Sequence, residues 1–397
     1  RRLPGGRRYG IVAGTGRMLD LIGDFRFTDL ELDWLRDNAV VYDRALDWLA
    51  DYRFTGTVSG YQEGEVYFPG SPILVVEGTF AQAVILETLV LSVLNYDSAV
   101  ATAASRMVSA ASGRPLAEMG SRRTGERSAI AAARAAFIAG FAATSNLEAG
   151  RSWGVPTMGT SAHSFTLLHD TEEDAFRAQV AALGPGTTLL VDTYDVTAAV
   201  DLAVRVAGTG LGAVRIDSGD LPEQVGAVRR QLDALGAVNT KITVTNDLDE
   251  FTIAALRAAP VDSYGVGTSL VTGSGSPAAG FVYKLVARKD AAGDWISLAK
   301  RSPEKVSIGG RKFPVREFTA AGTASAEVIH IGEPRPATSA HRALLVPLMV
   351  DGVAVERFQG PAGTRLAREH RAAALAELPE EAFRLGRGDP VIPTRYA

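Results

Sequence analysis

The chain has 397 residues and a formal net charge of −4, from 41 basic and 45 acidic side chains. This length predicts more than one domain, and the near balance of charge argues against a general nucleic-acid-binding protein, which needs a basic excess. The sequence contains no cysteine, which excludes disulfides, thiolate catalysis and cysteine zinc sites, and is compatible with a cytoplasmic location.

Residues 1–112 predict an N-terminal α+β segment. Residues 9–13 favour a short strand, and residues 27–52 carry apolar side chains at helical spacing. Further short strands, separated by turns rich in Gly and Pro, are predicted around Val58, around Tyr67 and over residues 73–76.

Two helices, residues 80–95 and 98–111, are predicted to follow. The most apolar run of the chain, residues 80–94, is interrupted by Gln82 and Glu87. It is shorter than a bilayer-spanning helix. We therefore expect a buried helix of a soluble protein and no membrane partner.

Residues 113–280 predict an incomplete α/β barrel that carries the active site. An apolar run, residues 153–158, favours a strand before the motif GTSAHSF. Strands then recur roughly every 25 residues with helices between them, a rhythm typical of βα units around a parallel sheet. The predicted strands cover residues 189–192, 213–216, 242–245 and 264–266, and the helices residues 126–141, 196–206, 221–235 and 248–258.

Capping residues precede several of these helices. The expected caps are Asp220 with Pro222 and Gly236 around the helix at 221–235, and two pairs with capping-box spacing, Ser145 with Glu148 and Asp247 with Glu250.

Residues 281–397 predict a C-terminal segment of hairpins and helices that packs with the N-terminal domain. Residues 281–286 and 295–299 flank a turn, and residues 343–350 favour a strand before an Arg-rich helix.

Polar residues follow the strands of the predicted barrel. Right-handed crossovers place all these strand ends on one rim, so the residues should form one site. They are His163; Asp192; Arg215, Asp217, Ser218, Gly219 and Asp220; Asn246 and Asp247; and Gly265, Gly267, Thr268 and Ser269.

The chemistry of this set suits a phosphorylated sugar. Gly265, Gly267 and Thr268 allow backbone N–H groups to approach a phosphate closely. Arg215 can bind phosphate or carboxylate through two hydrogen bonds. Asp217 can anchor a ribose hydroxyl, hold Mg²⁺ through water, or stabilise positive charge at an anomeric carbon.

Each signal also has a structural interpretation. A lone loop histidine such as His163 is most often hydrogen-bonded to backbone, and Arg215 with Asp217 can form an ion pair at a strand end. Arg122 and Arg123 can be solvated surface, although their position between a glycine and a helix N-terminus favours an anion site.

Several segments together resemble the nicotinate phosphoribosyltransferases. GTSAHSF, RIDSGD and GVGTSLVTG form a highly specific combination. The matching segments, in the family's order, are FPGSPILVVEG, ILETLVLSVLN, AEMGSRRT, GFAATSNLEAG, GVPTMGTSAHSF, LLVDTYDV, RIDSGDL, TNDLDE, YGVGTSLVTG and YKLVARK. The resemblance implies a type II phosphoribosyltransferase-like incomplete α/β barrel plus an α+β domain built from the N- and C-terminal segments.

The resemblance also implies the reaction. Nicotinate displaces pyrophosphate from 5-phosphoribosyl-1-pyrophosphate, which gives nicotinate mononucleotide for NAD salvage. ATP hydrolysis is coupled to this transfer through phosphorylation of His163, and Mg²⁺ is expected on the pyrophosphate. Homodimers with active sites shared between subunits are typical of the family.

The family's site residues match positions of this sequence. Thr160 and Arg215 match contacts to nicotinate, Arg122 matches an arginine that lines the base and phosphoribosyl site, and Asp217 matches the acid beside the ribose. The remaining substrate-binding positions are Ser145, Asn246, Asp247, Gly265, Gly267 and Thr268.

Ser145 bears on the choice of substrate. The related nicotinamide enzymes carry an aspartate at the matching position, which accepts from the amide of nicotinamide and would repel the carboxylate of nicotinate. A serine favours the acid. Its other interpretation, the N-cap of the next helix, is compatible with this role.

The sequence departs from the family at its start. The family usually begins with a T-D-x-Y-like segment whose tyrosine stacks on nicotinate in the neighbouring subunit, whereas this sequence starts after that point, at Arg1. We expect truncation, or a segment outside the given sequence, to be the reason. If the segment is missing from the protein, weak nicotinate binding is expected.

Three other functions compete with this one. A nicotinamide phosphoribosyltransferase is disfavoured by Ser145. A non-catalytic sugar-phosphate-binding barrel would have no use for a phosphoryl acceptor such as His163. A quinolinate phosphoribosyltransferase would lack the ATP step and need more cationic groups for a dicarboxylate.

Overall fold

The computed structural model of the protein describes residues 3–300, 307–336, 338 and 340–397. In these residues the α-helices are α1 (Thr15–Asp24), α2 (Asp29–Asp37), α3 (Asp43–Ala50), α4 (Phe80–Ala111), α5 (Glu126–Ile138), α6 (Leu147–Trp153), α7 (His163–Leu168), α8 (Glu172–Leu183), α9 (Val196–Ala207), α10 (Leu221–Ala234), α11 (Glu250–Ala255), α12 (Thr268–Val271) and α13 (Gly360–Ala376).

The strands, in chain order, are β1 (Gly10–Ile11), β2 (Thr57–Tyr61), β3 (Val66–Tyr67), β4 (Leu74–Glu77), β5 (Leu116–Glu118), β6 (Ala143–Thr144), β7 (Thr188–Leu190), β8 (Ala213–Ile216), β9 (Lys241–Val244), β10 (Ser263–Val266), β11 (Ala287–Lys289), β12 (Trp295–Ser297), β13 (Lys312–Phe318), β14 (Ala324–Ile331), β15 (His341–Ala343), β16 (Leu345–Val350), β17 (Val353–Ala354) and β18 (Thr394–Tyr396). The chain divides into two compact units, one comprising Arg1–Thr102 with Ala278–Ala397 and the other Ala103–Pro277.

The second unit is built on a six-stranded sheet in the order β6-β5-β10-β9-β8-β7. All neighbouring strands in it are parallel. The strands are short apolar runs whose central side chains are fully buried, as expected when helices cover a parallel sheet. These buried side chains include Leu189, Val214, Ile242, Val244 and Val266.

The sheet curls into a partial barrel, so that the chain beyond one edge reaches a strand near the other edge. Thr157 forms a parallel bridge with Thr144 and so extends the edge at β6. Three residues further along the chain, Thr160 accepts a hydrogen bond from Arg215 of β8, close to the opposite edge. A flat sheet could not satisfy both contacts. The predicted incomplete α/β barrel is therefore confirmed.

The βα units from β7 to β10 follow the predicted rhythm, with boundaries shifted by one or two residues in most elements. Helix α10 begins at the predicted N-cap Asp220, whose side chain accepts the backbone N–H of Glu223. It ends just before Gly236, which adopts φ 76° and so supplies the left-handed residue that commonly terminates a helix.

Two other predicted caps were wrong. The N-cap of α6 is Asn146, which accepts the N–H of Ala149, and not its neighbour Ser145. The N-cap of α11 is Asp249, which accepts from Phe251 and Thr252, and not Asp247. In both cases a second polar residue lies closer to the first helical turn and satisfies its N–H groups.

The strand predicted over residues 153–158 was also wrong. Residues up to Trp153 belong to α6, which ends at Gly154 with φ 67°. Only Thr157 then pairs with the sheet.

The predicted helix over residues 27–52 is interrupted between α2 and α3, where Ala39 adopts φ 50°.

The first unit is an α+β domain that combines both ends of the chain, as predicted. Strand β2 pairs with β16 of the C-terminal segment, and β4 and β17 complete that sheet. A second antiparallel pair, β13 with β14, carries the C-terminal strand β18 at its edge. The hairpin predicted near residue 290 is formed by β11 and β12. The strand predicted over residues 281–286 was wrong, because the first strand of the hairpin is Ala287–Lys289.

Helix α4 is one continuous helix, so the prediction of two helices was wrong. By length and composition alone it could cross a membrane. Its Leu86 and Val90 are buried in the core, and its Asp97 is also buried and pairs with Arg17 at 2.7 Å. The helix therefore has a buried charge that is paired within the protein and, beside it, apolar side chains that are buried in the core. Both features are typical of a core helix.

A buried ionic cluster lies in the first unit around Glu65, which is 1 % exposed. Its carboxylate accepts from Arg342 (2.8 Å) and from Nε2 of His370 (2.8 Å), and Arg316 lies 3.7 Å away. Burial alone would raise the pKa of Glu65, but the bond from His370 and the charge of Arg342 hold it well below its usual range.

Candidate active site

His163 begins the short helix α7, and its ring is 40 % exposed. Its Nδ1 lies 3.2 Å from the hydroxyl of Thr193. Its Nε2 faces two carboxylates, with Oδ1 of Asp192 at 3.9 Å and Oδ2 of Asp217 at 3.8 Å. This is not the backbone-bonded loop histidine of the structural interpretation, because both ring nitrogens face polar side chains.

Asp192, two residues after the end of β7, holds the loop that follows the next strand, β8. The side chain is only 2 % exposed. Its Oδ2 accepts the backbone N–H of Asp217 (2.8 Å) and the hydroxyl of Ser218 (2.7 Å). Its Oδ1 is buried without a hydrogen-bond partner in the described part of the chain, and this atom faces His163. An orphaned buried carboxylate oxygen is unusual and is typical of a site completed by a ligand.

Asp217 lies between three polar neighbours. Its Oδ1 accepts the hydroxyl of Thr245 at 2.5 Å, which fixes the carboxylate from the side of β9. Its Oδ2 lies 3.8 Å from both His163 and the Nη2 of Arg215. The predicted Arg215–Asp217 pair therefore exists, but it is longer than a hydrogen bond. The partly exposed Oδ2 is accessible to a ligand.

Arg215, on β8, is the cation of this group. Its Nη1 donates to the hydroxyl of Thr160. Its Nε is buried and has no hydrogen-bond partner among the residues described. Burial lowers the pKa of the guanidinium, against the opposing effect of Asp217 and Asp192, and the charge of Arg122 lowers it further. The positive charges of Arg215 and Arg122 therefore lie close enough to affect each other, and together they favour an anionic ligand near Arg215.

The loops after β5 and β6 meet through Glu118, a fully buried residue. Its Oε1 accepts the backbone N–H of Gly120 (2.5 Å), and its Oε2 accepts the hydroxyl of Thr144 (2.5 Å). Burial raises the pKa of Glu118, and the two donors oppose that shift. The exposed residues Arg122 and Ser145 lie on these two loops.

The remaining predicted residues lie at the ends of β9 and β10. Asn246 and Asp247 are exposed and follow β9, and Asn246 adopts φ 125°. Gly267 and Thr268 begin α12. Gly265 lies within β10, where a Cβ atom would be 2.6 Å from Thr245 and 2.8 Å from Met119. A side chain at 265 would therefore clash with the packing beneath the site.

Direct contacts join six of the predicted residues, namely His163, Asp192, Asp217, Ser218, Arg215 and Thr160. The others lie on the loops that follow neighbouring strands of the same sheet, except Gly265, which lies within β10. Sequence reasoning assigned no role to Thr193, Thr245 or Glu118. Thr193 directly follows a predicted strand and Thr245 is the last residue of another, so both could have been found there. Glu118 had no comparable signal, because its role depends on Thr144, a distant residue in the chain.

Comparisons with known proteins agree with this architecture. Residues 1–95 match the family described as the nicotinate phosphoribosyltransferase (NAPRTase) N-terminal domain. The chain is 56 % identical to "Nicotinate phosphoribosyltransferase pncB1" of Mycobacterium tuberculosis, over 100 % of this chain and 88 % of that protein. It is 41 % identical to pncB2 of the same organism, over 89 % of this chain and 76 % of that protein.

A solved structure shares the fold over the whole chain. Human nicotinic acid phosphoribosyltransferase superimposes with a TM-score of 0.81 and 25 % identity, covering 100 % of this chain and 91 % of the human chain. Because the 56 % identity to the mycobacterial protein spans all of this chain and 88 % of that protein, the chain belongs to the nicotinate phosphoribosyltransferase family.

Proposed function

We propose that the protein transfers the 5-phosphoribosyl group of 5-phosphoribosyl-1-pyrophosphate to the ring nitrogen of nicotinate. The products are nicotinate mononucleotide and pyrophosphate, and the reaction is coupled to hydrolysis of ATP. The observation that carries this proposal is the group of His163, Asp192, Asp217 and Arg215 on one rim of the curled sheet. Membership of the family supplies the substrates.

His163 is the proposed phosphoryl acceptor. A ring nitrogen attacks the γ-phosphorus of ATP, the bond from that phosphorus to the bridging oxygen of ADP breaks, and a phosphohistidine results. Water later cleaves the phosphorus–nitrogen bond and releases phosphate. Support comes from the exposure of the ring, and from Thr193 and the two aspartates that orient it. A neutral imidazole is a competent nucleophile near neutral pH.

Arg215, Thr160 and Ser145 are the proposed contacts to nicotinate. The partly buried guanidinium of Arg215 suits the carboxylate of this substrate, and its bond to Thr160 holds it in one orientation. Ser145 is exposed and adds no negative charge that would repel the acid. Arg122 contributes positive charge between the base and the phosphoribosyl group.

The phosphate groups are proposed to bind at the ends of β9 and β10. Gly267 and Thr268 present backbone N–H groups without bulky side chains, and Gly265 keeps the packing beneath them tight. Asn246 and Asp247 can contact the hydroxyls of the ribose or the pyrophosphate.

Mg²⁺ is the proposed metal, held mainly by substrate. In the described residues no group of three or more His, Asp or Glu side chains could hold a metal ion. Mg²⁺ commonly binds through one or two carboxylates plus substrate phosphates and water, and the unpartnered Oδ1 of Asp192 with Oδ2 of Asp217 fits that pattern. Such an ion would neutralise charge on the leaving pyrophosphate.

Asp217 is the proposed catalytic carboxylate. The pyridine nitrogen of nicotinate already carries a lone pair, so no strong base is needed. As the bond from the anomeric carbon to pyrophosphate breaks, positive charge develops on the sugar, and Oδ2 of Asp217 can stabilise it. Thr245 fixes this carboxylate before the reaction begins.

A homodimer with shared active sites and a cytoplasmic location complete the proposal. Both rest on the family resemblance. Sedimentation analysis of the purified protein tests the first, and a mass consistent with a single chain would contradict it.

The decisive experiment measures nicotinate mononucleotide and ADP together, with and without ATP. ATP-stimulated product with matching ADP release is expected from nicotinate, with little product from nicotinamide or quinolinate. Absence of any product, combined with binding of 5-phosphoribosyl-1-pyrophosphate, would instead support a non-catalytic sugar-phosphate-binding barrel. Mass spectrometry after incubation with ATP should show one added phosphate on His163.

A further inference from the structure

Glu118 is a charged residue for which the reaction described above has no use, although it lies beneath the site. It is the last residue of β5 and is fully buried. A carboxylic acid in such a position costs free energy unless it is well bonded. Its two oxygens accept from two different loops, Oε1 from the N–H of Gly120 and Oε2 from the hydroxyl of Thr144.

Other bonds join the same two loops around this carboxylate. The backbone N–H of Ser145 donates to the backbone oxygen of Glu118 at 2.8 Å. The amide of Asn146 donates to the hydroxyl of Ser121 at 3.0 Å, and the N–H of Asn146 donates to the Thr144 hydroxyl oxygen. The loop bearing Arg122 and the loop bearing Ser145 are therefore fixed to each other.

The loop after β10 packs against the same point. The N–H of Met119 donates to the backbone oxygen of Val266 at 2.8 Å. A Cβ atom at Gly120 would lie 2.3 Å from Val271 and 2.9 Å from the oxygen of Gly267. Gly120 is thus in close contact with the loop that carries Thr268, so a displacement of Gly120 would also disturb that loop.

We propose that Glu118 is a positioning residue that sets the spacing between Arg122 and Ser145, and so the spacing between bound phosphoribosyl group and bound pyridine. This inference rests on the proposed function, which places the two substrates on these loops. Because Arg122 is proposed to lie between the two substrates and Ser145 to contact the pyridine, a displacement of either loop would weaken the binding of both substrates. It would also separate the reacting carbon and nitrogen, and misplacement on the scale of 1 Å can cost about a hundredfold in rate. Glu118 itself touches neither substrate.

A matched pair of threonine variants tests this role. T144V removes the hydroxyl that donates to Glu118, and T240V removes an equally buried hydroxyl that donates to Leu211 at the opposite rim of the sheet. Both variants should lose thermal stability to a similar extent. Only T144V should raise the KM for nicotinate and for 5-phosphoribosyl-1-pyrophosphate, by about tenfold, which corresponds to a loss of about 1.4 kcal/mol.

Variants of Glu118 itself provide the rescue test. The amide of E118Q can accept from Gly120 with its oxygen and donate to the Thr144 oxygen with its NH₂, so both loops stay joined and KM should stay within about threefold of the wild type. E118A loses both bonds, and its KM values should rise by at least the tenfold expected for T144V.

Three results would overturn the proposal: unchanged KM values in T144V and E118A, an equal rise in T240V, or failure of E118Q to recover wild-type KM. A wild-type protein without activity would contradict the proposed function instead. Calorimetric binding of 5-phosphoribosyl-1-pyrophosphate to the same variants would still decide the role of Glu118, because an unchanged affinity in T144V and E118A would refute it.

Discussion

The buried carboxylate of Asp192 accepts the backbone N–H of Asp217 over 2.8 Å. A residue at the end of one strand thus determines where the loop after the next strand lies. Because the same carboxylate also faces His163 at 3.9 Å, the proposed phosphoryl acceptor and the proposed catalytic carboxylate share one support. In the proposed mechanism, a single side chain would thus link the ATP step and the glycosyl transfer.

Replacement of His163 by alanine should abolish the ATP dependence of the reaction. Without the imidazole no phosphohistidine can form, so ATP-driven phosphate incorporation should fall to background, while slow ATP-independent product formation persists. H169A is the matched control, because the ring of His169 bonds only to the backbone oxygen of Phe165 in the described contacts. Incorporation of labelled phosphate into H163A, or its loss in H169A, would contradict the assignment.

Replacement of Arg215 by lysine should weaken nicotinate binding. Lysine keeps the charge but loses the planar group that contacts Thr160 and matches a carboxylate with two parallel bonds. We expect the KM for nicotinate to rise about tenfold, equivalent to the loss of one charge-assisted hydrogen bond. R229K is the control, since Arg229 bonds to backbone oxygens of Thr240 and Ala237 on the opposite rim. Equal KM values for R215K and wild type would remove Arg215 from the nicotinate site.

Replacement of Ser145 by aspartate should shift the preference from acid to amide. The new carboxylate repels that of nicotinate and can accept from the NH₂ of nicotinamide. The ratio of kcat/KM for nicotinate over nicotinamide should fall by about two orders of magnitude, roughly 3 kcal/mol. S145N, which adds similar volume without charge, is the control. A ratio that falls equally in S145N would point to steric fit rather than to charge.

Replacement of Arg342 by methionine should destabilise the first unit in a pH-dependent way. Glu65 has a pKa held below its usual range, so its contribution to stability is present above its unfolded pKa of about 4.3 and is lost as pH falls through the lower folded pKa. We expect R342M to lower the free energy of unfolding by roughly 1–3 kcal/mol at neutral pH, since Glu65 retains His370.

Urea unfolding at several pH values measures this effect. The difference between R342M and wild type should be full at neutral pH and should shrink in acid, because Glu65 of R342M, without Arg342, takes up its proton at a higher pH than Glu65 of the wild type. R311M is a control, because the Arg311–Glu77 pair is partly exposed and its loss should have a smaller effect. A difference that stays constant with pH would exclude the Glu65–Arg342 pair as its source.

The sequence predicted the barrel well where local and global signals agree. Strand β8 was predicted with its observed bounds, because an apolar run is followed at once by the polar residues of the rim and by the cap Asp220. The region before His163 failed because the apolar residues near Trp153 satisfy helical as well as strand packing. The structure of that region is determined by tertiary contacts, and the local strand propensity of its residues does not predict it.

The candidate site likewise contains residues that the sequence predicts and one that it does not. His163, Arg215 and Asp217 could be found from strand ends and from family motifs, since parallel strands bring such residues to one rim. The role of Glu118 could not be predicted from the sequence, because the function of a buried carboxylate becomes clear only from the hydrogen-bond donors around it. Those donors come from a loop 26 residues away and from a turn two residues away.

The bonds that join the loops around Glu118 run between protein atoms alone. The amide protons of Met119, Gly120 and Ser145 are engaged in them, so these amides should exchange slowly with deuterium in the ligand-free protein. Slow exchange at these positions would mean that substrate meets a backbone that is already ordered and that binding restricts little further chain motion. The free energy of association is correspondingly available to hold the anomeric carbon and the pyridine nitrogen at reacting distance.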